Sequence, residues 1–435
     1  MSAWVRVLWA IAMTMVALLI SAATAAETYL SMPTQVRYGY ALELDQPLET
    51  SLRLAPELEA LAEDWRLMIS ARLEGDAEDL LEPGRPAFEN YSSLSRPWQL
   101  GTWGRLELRD AFIEVPFGRN LARVGKQQIV WGNLDGLKVL DVLNPQRFRE
   151  FILEDFQDSR IGTWSAYFDL LVGDWRAELA FIPDVTAHEI PEPGAWFELT
   201  APRFRYGAEP GGPILPRTTT GPAVRDGSVG ARITRTLAGI DLGVIALSGL
   251  GFEPLGRLRL DQAGPSLEQF YADRTLFGLQ AETAVAGLVL RLEASFQPER
   301  TFNTRTEVDL STARLDQWRI AAAVDIDAPF GIFVNLQYLH DQVMSAPDDL
   351  IRPEIDRVVT AFARRGFQNE TLLLELRWYG ELEQDDGMAR GMLEYQLGGN
   401  TRLRLSGDYF YGTREGLFGQ FQARDRLTLA IEHTF

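Results

Sequence analysis

The sequence predicts an all-β protein, a transmembrane antiparallel β-barrel of about 18 strands, with about 16 strands as the alternative. Three observations lead to this fold class. Apolar and polar residues alternate with period two in one segment after another, which is typical of strands with one face toward lipid and one toward water. Short turns and long loops alternate along the chain, as they do in strands that run up and down through a membrane. Beyond the first 26 residues, no apolar stretch is long enough for a membrane-spanning helix.

The first 26 residues are interpreted as a cleaved secretory signal peptide. Arg6 supplies a positive start, residues 7–20 form an almost unbroken apolar run, and Ala23-Thr24-Ala25 has the small-x-small form that a signal peptidase accepts. An uncleaved anchor is the alternative, although the run is short for a spanning helix. Residues 27–435 are therefore expected to form a single barrel in the outer membrane of a Gram-negative cell.

Composition narrows the classes of function. The chain has no Cys, which rules out disulfides and thiolate metal sites. The formal net charge is -19, from 42 Lys and Arg against 61 Asp and Glu, and this balance argues against nucleic acid as a partner. Acidic loops can hold divalent cations that bridge to anionic lipid heads, although a solvated acidic face is the commoner arrangement. The expected surroundings are outer-membrane lipid and lipopolysaccharide.

The strand candidates share the period-two alternation. In the last one, Leu427, Leu429 and Ile431 alternate with Thr428 and Glu432. The number of candidates is even, as single-chain bacterial barrels require, and each is near the roughly 9 to 11 residues that a tilted spanning strand needs. The candidates lie at residues 35–45, 50–60, 65–74, 103–116, 120–131, 160–172, 174–182, 227–236, 239–249, 274–285, 287–297, 314–326, 330–342, 355–366, 369–380, 387–397, 401–411 and 424–435.

Connections between the candidates are of two kinds. Every second one is predicted to be a tight turn, because it holds the Gly, Asn, Asp or Pro that such turns need, as in Gly173-Asp174 and Gly398-Gly399-Asn400. Short turns are assigned to the periplasmic side and long loops to the extracellular side. The long loops are predicted at residues 75–102, 132–159, 183–226, 250–273 and 298–313.

Aromatic residues give weaker support for a membrane barrel. Phe435 closes the last alternating strand, and a terminal aromatic at this place resembles the signal that the barrel assembly machinery reads. That machinery is therefore an expected partner. Girdle positions near strand ends are predicted for Trp103, Trp131, Trp164, Trp175, Tyr379, Tyr409 and Tyr411.

The segment from Arg123 to Arg160 is the densest in motifs. Its pieces GKQQIVWG (125–132), DGLKVLDVLNPQ (135–146) and EDFQDSR (154–160), with GLFGQFQARDRLTLAIEHTF at the C-terminus, resemble a family of porin-like proteobacterial outer-membrane proteins. The resemblance covers most of the mature chain, and a looser one is to the alginate-export barrels. It implies an outer-membrane barrel and suggests transport of a lipid-like or other apolar metabolite with an inner-membrane exporter as partner. It supplies no functional residues.

The loop at 132–159 is predicted to fold into the lumen and narrow it, with a short helix at residues 146–154 after Asn144-Pro145. The alternative is a packed cap whose charges pair with one another. The long loop 183–226 is a candidate partner-binding element, because it contains Trp196, Phe197, Phe204 and Tyr206. Charged residues expected in or near the constriction are Lys126, Asp135, Lys138, Asp141, Arg147, Arg149, Glu154, Asp155, Asp158 and Arg160.

Arginines recur on the polar face of the predicted strands. A water-filled lumen can hold these charges, whereas an Arg at the midplane of the lipid face costs roughly 2 to 4 kcal/mol. A ring of arginines would favour anions. Acidic residues such as Glu107 and Glu375 share the same faces, so ion pairing between strands is the alternative. The lumen candidates are Arg66, Arg72, Arg105, Arg109, Arg319, Arg377, Arg402 and Arg404.

Catalytic signals are sparse. The sequence contains no GxSxG, HExxH, Walker or dinucleotide motif, and its three His residues are His188, His340 and His433. No catalytic, cofactor-binding or metal site is predicted, and no enzyme activity is expected. The predicted function is that of a porin-like channel passing a small or lipid-like substrate across the outer membrane. A plugged scaffold or partner-gated export component is the alternative, and an outer-membrane hydrolase is a weaker one.

Overall fold

The computed structural model describes residues 26–84, 88–205, 217–219, 226–261, 264–306 and 310–435. Eighteen antiparallel strands close into a barrel, which confirms the predicted fold class and strand number. No helix in these ranges is long and apolar enough to cross a membrane. Residues 1–25 of the predicted signal peptide lie outside the described residues.

The barrel strands follow one another around the wall in chain order. Each strand pairs with the next, and the last pairs with the first, with Val36 opposite Ile431. Closure leaves no unpaired edge, as a sheet in lipid requires. The strands are β1 (Pro33–Ala41), β2 (Gln46–Leu54), β3 (Arg66–Asp76), β4 (Gly104–Phe117), β5 (Asn120–Gln127), β6 (Thr163–Val172), β7 (Trp175–Ile182), β8 (Ser228–Leu237), β9 (Ile240–Leu250), β10 (Asp273–Val285), β11 (Leu288–Arg305), β12 (Leu310–Ala328), β13 (Ile332–Val343), β14 (Ile355–Phe367), β15 (Leu372–Glu381), β16 (Asp386–Gly398), β17 (Thr401–Tyr411) and β18 (Arg426–Thr434).

Side chains alternate across the barrel wall as the sequence pattern predicts. On β9, Leu242 and Val244 are exposed on the outside, whereas Ile245 and Leu247 are buried inside. The outer surface is a band of exposed Leu, Val, Ile and aromatic side chains, and the buried interior is rich in Arg, Glu, Asp and Gln. An exposed apolar band of this extent marks a surface that contacts lipid.

The predicted first two strands are displaced by several residues. β1 ends at Ala41, β2 begins at Gln46, and Asp45 takes a φ of 51° in the turn between them. The alternation of apolar and polar residues continues through the exposed Leu42 and Leu44, so the sequence pattern does not show where the turn begins. The later part of the predicted second strand is a separate short strand, Glu57–Leu61, which pairs with Glu27–Ser31. A further short strand, Trp98–Leu100, pairs with β4 within the predicted loop 75–102.

The predicted loop at 298–313 is wrong, because β11 and β12 extend through most of it. At Pro298 the ladder shifts its register between Gln297 and Arg300, and such a bulge tolerates a residue without an N–H. The extra length contacts a small sheet, in which the Gly256 N–H donates to Asn303 at 3.1 Å. This sheet consists of Arg217–Thr219, Leu255–Asp261 and Gly264–Phe270.

The connection between β5 and β6, residues 128–162, is here called the inner loop. It contacts inward-facing side chains on opposite walls, including Glu74 on β3 and Glu293 on β11. The predicted helix at residues 146–154 is not formed; within the inner loop the helical turn is α1 (Phe156–Ser159). Gln146 and Phe148 instead form backbone hydrogen bonds with Glu189, and the Gln146 N–H donates to the His188 side chain; these bonds replace those that a helix would make.

Candidate functional site

The first part of the inner loop, residues 128–143, is here called the apolar half. It fills one side of the lumen with a continuous apolar core, packing against inward-facing residues of several strands such as Ala180 on β7, Ile245 on β9 and Ala321 on β12. The buried residues of this half are Ile129, Trp131, Leu137, Val139, Leu140 and Leu143.

Wall residues position the apolar half by leaving space and by accepting hydrogen bonds. A Cβ atom at Gly230 would lie 2.8 Å from Cη2 of Trp131, and one at Gly278 would lie 2.5 Å from Cδ2 of Leu140. Only glycine therefore leaves room for these two side chains. The carboxylate of Glu293 accepts the Leu140 N–H at 3.1 Å, which satisfies a backbone group inside the apolar core.

The second part, residues 144–160, is here called the charged half, and it faces the wall formed by β1 to β4 and β18. Glu150 forms a bidentate pair with Arg37, with both N···O distances at 2.8 Å, and it also lies 2.8 Å from Arg426. Arg147 is fully buried, 2.7 Å from Glu74. Removing one partner of such a buried pair is strongly destabilising, because it leaves the other charge uncompensated.

Nearby arginines determine the charge state of the loop carboxylates. Burial raises the pKa of the Glu150 carboxyl, but Arg37 and Arg426 outweigh burial and hold this pKa well below its usual range. At Asp158 burial likewise raises the pKa, and neighbouring arginines, led by Arg72, lower it further than burial raises it. Both carboxylates are therefore ionised at neutral pH.

A cavity of about 290 Å³ lies between the charged half and the short turns of the barrel. The charged half forms its roof with Glu150, Glu154, Asp155 and Asp158. The wall contributes two carboxylates among the described lining residues, Glu375 and Glu394, and a larger set of arginines. This set is here called the arginine wall, and it consists of Arg37, Arg53, Arg364, Arg377, Arg390, Arg402 and Arg404.

The wall arginines that the sequence singled out all have a carboxylate partner within 4 Å. Ion pairing, the alternative to a ring of free arginines, is therefore what the structure shows. Arg72 contacts Asp158 of the loop, whereas the others pair with wall or loop carboxylates nearby. These pairs are Arg66–Glu59 at 2.5 Å, Arg105–Glu189 at 2.7 Å, Arg109–Glu107 at 3.3 Å, Arg319–Asp341 at 3.3 Å, Arg377–Glu375 at 3.4 Å, Arg402–Glu432 at 2.5 Å and Arg404–Glu394 at 2.5 Å.

Predicted constriction residues in the inner loop make several kinds of contact. Arg147, Glu154 and Asp158 pair with the wall or with one another, as described above for Arg147. Arg160 and Asp141 pair within the loop at 2.8 Å. Lys138 donates to Gln146 and lies 4.5 Å from the Phe156 ring, and the Asp135 carbonyl accepts from Gln337. Arg149 lies 3.6 Å from Glu82 in the loop between β3 and β4.

Two predicted residues stand apart. Lys126 is fully buried in the wall, and its amine has no hydrogen-bond partner among the described residues. Asp155 lines the cavity, but within the described part of the chain it makes no ion pair with an arginine. Its side chain also does not cap α1.

Sequence reasoning missed Glu74 and Glu150. Glu74 lies two residues after Arg72 on the same inward face of β3, so the strand pattern contained the signal for it. Glu150 lies in an irregular segment where no periodicity assigns a direction to a side chain. Only its position between Arg37 and Arg426 identifies it, and those residues are far away in the sequence.

At the end of the barrel with the long loops, four loops pack into an aromatic cluster with β15 to β17. Trp196 and Phe197 are buried here and Phe204 is half-buried, so Trp196 and Phe197 do not form an exposed surface; binding of a partner through the loop 183–226 stays a prediction, and Tyr206 lies outside the described residues. The girdle prediction is also wrong for Trp131 and Tyr379, which are buried in the interior. The loop residues in the cluster are Leu81, Phe151, Leu153, Trp196, Phe197, Phe418 and Phe421.

The His residues form no catalytic arrangement with a serine in the described hydrogen bonds. His188 packs edge-on against Phe148 and Phe252, and its Nδ1 accepts the Gln146 N–H at 2.8 Å. Burial lowers the pKa of His188 to about 3. The other two contact Gln342 at 3.4 Å and Thr401 at 2.8 Å. Among the described residues, no three His, Asp or Glu side chains are grouped as a metal site would need.

The barrel has the fold of outer-membrane porins. It is similar to Acinetobacter baumannii OccAB1, with a TM-score of 0.50 and 9% identity over 94% of this chain and 96% of that one. Pseudomonas aeruginosa OccK1 (OpdK) gives a TM-score of 0.51, and OccK2 (OpdF) in complex with glucuronate gives 0.52. Each of these two is 9% identical over 94% of this chain and 98% of the other. The fold and the exposed apolar band imply a location in the outer membrane.

Within that class, the sequence itself identifies the family. Residues 46–435 match the family described as "Protein of unknown function (DUF1302)", and the chain belongs to that family. No curated protein matches the sequence. The resemblance to porin-like outer-membrane proteins that the motifs suggested is thereby confirmed.

Proposed function

We propose that this protein is a channel that passes a small or lipid-like solute through its lumen, and that the inner loop closes the passage in the conformation described. Selection would rest on the size and charge of the lumen, without chemistry on the solute. The similarity to solved porins concerns the fold, and the channel function is inferred here in addition to it.

One observation carries the proposal: the inner loop is an internal element with a cavity beneath it. A barrel of this strand number is wide enough for an aqueous passage unless loops fill it. Here the loop supplies that filling, and the cavity of about 290 Å³ remains between its charged half and the short turns. Displacing the charged half would join this cavity to the space occupied by the loop.

The second candidate function is a plugged scaffold or a partner-gated export component. The aromatic cluster at the long-loop end favours it, because Phe197 and Phe421 are almost fully buried beneath the loops and close that end. In this case the passage would open only when a partner, such as an inner-membrane exporter, engages the barrel.

The test is single-channel conductance of the refolded mature protein in a planar bilayer with a salt gradient. We expect long closed periods interrupted by steps of fixed size with a defined reversal potential. Circular dichroism of the same sample verifies that the barrel is folded. A folded barrel that never conducts, at any voltage or pH, contradicts the channel and favours the plugged scaffold.

A further inference from the structure

The cavity beneath the charged half has unequal sources of charge. Among the described lining residues, the wall supplies the seven arginines of the arginine wall and two glutamates, and the roof supplies four carboxylates. Behind the lining, Glu49, Glu74, Asp408 and Glu432 of the wall also pair with these arginines. The loop carboxylates therefore share the arginines with wall carboxylates, and they occupy the position that an anionic ligand would take.

Glu150 has the geometry of a bound carboxylate ligand. Both of its oxygens accept from Arg37 at 2.8 Å, which is the planar bidentate arrangement by which Arg recognises carboxylates, and Arg426 lies at the same distance. Glu150 is almost fully buried, and so is Arg426. This is a built site for one carboxylate, filled by a residue of the loop.

Apolar side chains lie beside this site. Leu153 of the loop, Leu373 of β15 and Met392 of β16 line the same cavity, as does Ala430 of β18. A ligand that fits has one anionic end for the arginines and a small apolar body for this lining. The cavity volume of about 290 Å³ is at the small end for binding pockets, which start at about 300 Å³.

We propose that the cavity binds a small amphipathic carboxylate, and that Glu150 is an internal competitor for its carboxylate position. This inference rests on the proposed function, because it assigns a substrate class to the same lumen. A solute carboxylate that takes Arg37 from Glu150 removes a contact that holds the charged half against the wall. When the solute carboxylate replaces Glu150 on Arg37, binding of the solute and opening of the loop therefore occur together.

Binding can be measured without any channel activity, by titrating benzoate into the refolded protein in detergent micelles and recording heat. Because the competitor is attached to the chain, the wild type should bind benzoate weakly. Glu150→Gln keeps the shape of the side chain and removes its charge, so benzoate should bind about tenfold more tightly. A merely structural role for Glu150 predicts unchanged or weaker binding, and that result would overturn the proposal.

Asp155→Asn is the matched control, since Asp155 lines the same cavity without pairing to an arginine. It removes the same charge, and we expect affinity to change by less than about threefold, because solvent and salt screen a charge that is not in contact. Equal gains in both variants would mean general electrostatics and would contradict a specific site. Adding Arg37→Gln to Glu150→Gln should abolish the gain.

Benzamide and inorganic phosphate distinguish the ligand chemistry. Benzamide, which lacks the charge, should not bind; phosphate binding as tightly as benzoate would replace the carboxylate assignment with a general anion site. If Glu150→Gln does not refold, a barrel lacking residues 134–156 serves instead and should also bind benzoate more tightly than the wild type. A conducting protein without this binding contradicts only the inference, whereas binding without conductance contradicts only the proposed channel.

Discussion

The two halves of the inner loop lie in the same lumen and are held there by different physical means. The apolar half packs Trp131 and Leu140 into spaces that Gly230 and Gly278 leave in the wall. The charged half is held by ion pairs, of which Glu150 with Arg37 is the clearest. Burial of apolar side chains is favourable by itself, and no dissolved ion can take their place. A side-chain carboxylate that contacts an arginine, by contrast, can be replaced by the carboxylate of a solute.

This difference indicates a division of roles. Buried ion pairs add little net stability compared with apolar packing, so the charged half is a poor anchor. It is well suited to exchange, because its contacts depend on pH and on competing anions. The apolar half is the anchor from which the charged half can move.

Breaking the central ion pair should have the largest effect. Arg147→Met removes the fully buried partner of Glu74 and Glu154 and leaves Arg53 as the cation that both still contact, so we expect the free energy of opening the charged half to fall by about 3 kcal/mol. Native-state hydrogen exchange of the amides of residues 147–153 measures this energy. As a control, Arg176→Met breaks a more exposed pair with Asp169 and should change stability by less than about 1 kcal/mol. Equal effects of the two variants would contradict the account.

Overfilling the apolar half should have a smaller effect. In Gly278→Ala the new Cβ displaces Leu140, at a cost of about 1–3 kcal/mol, and the amides of residues 137–143 should exchange faster. Gly391→Ala, where the nearest atom is Cδ2 of Leu376 at 3.6 Å, is the control and should leave exchange in the loop unchanged. Faster exchange confined to the charged half in Gly278→Ala would mean that the two halves are not separable as proposed.

Acidification should loosen the charged half through His188. In the closed loop its pKa is lowered from 6.5 to about 3, first by burial, with Arg274 and Lys138 also lowering it and Glu253 raising it. When the charged half moves away from His188, this imidazole takes up a proton more readily. The closed conformation therefore loses stability as pH falls from 6.5 toward 3. We expect openings to be about tenfold more frequent at pH 5.5 than at pH 7.5.

His188→Phe retains an aromatic ring and cannot be protonated, so its opening frequency should be flat across the same pH range. The carboxylate pairs contribute little in this window: the lowered pKa of Glu150 gives stability that is present above its ordinary pKa and is lost only at lower pH. A steep pH dependence in His188→Phe would assign the effect to other groups.

Much of the barrel was predictable from the sequence, because a membrane wall imposes one rule on every strand. Residues such as Leu429 and Thr428 alternate between lipid and lumen, so both the strand number and the inward face of Arg402 and Arg404 follow from period two. Strand ends were less predictable where alternation continued into a turn, as at Leu42 and Leu44.

The interior of the loop was not predictable in the same way. Its charged residues were singled out, but their partners depend on long-range geometry: Glu150 meets Arg37 and Arg426, which are separated from it by more than a hundred residues. The expected helix at 146–154 failed because residues 146–148 bond to residues 188–189, and no local propensity reports such a contact. The burial of Trp196 was hidden for the same reason.

If the inner loop closes the lumen, deleting residues 134–156 should change the conductance of the barrel relative to the wild type in the same salt gradient. We expect a stably open pore in place of brief openings. We also expect anion preference, because the deletion removes Glu150, Glu154 and Asp155 but leaves the arginine wall. Conductance and reversal potential that match the wild type would show that the inner loop does not close the lumen.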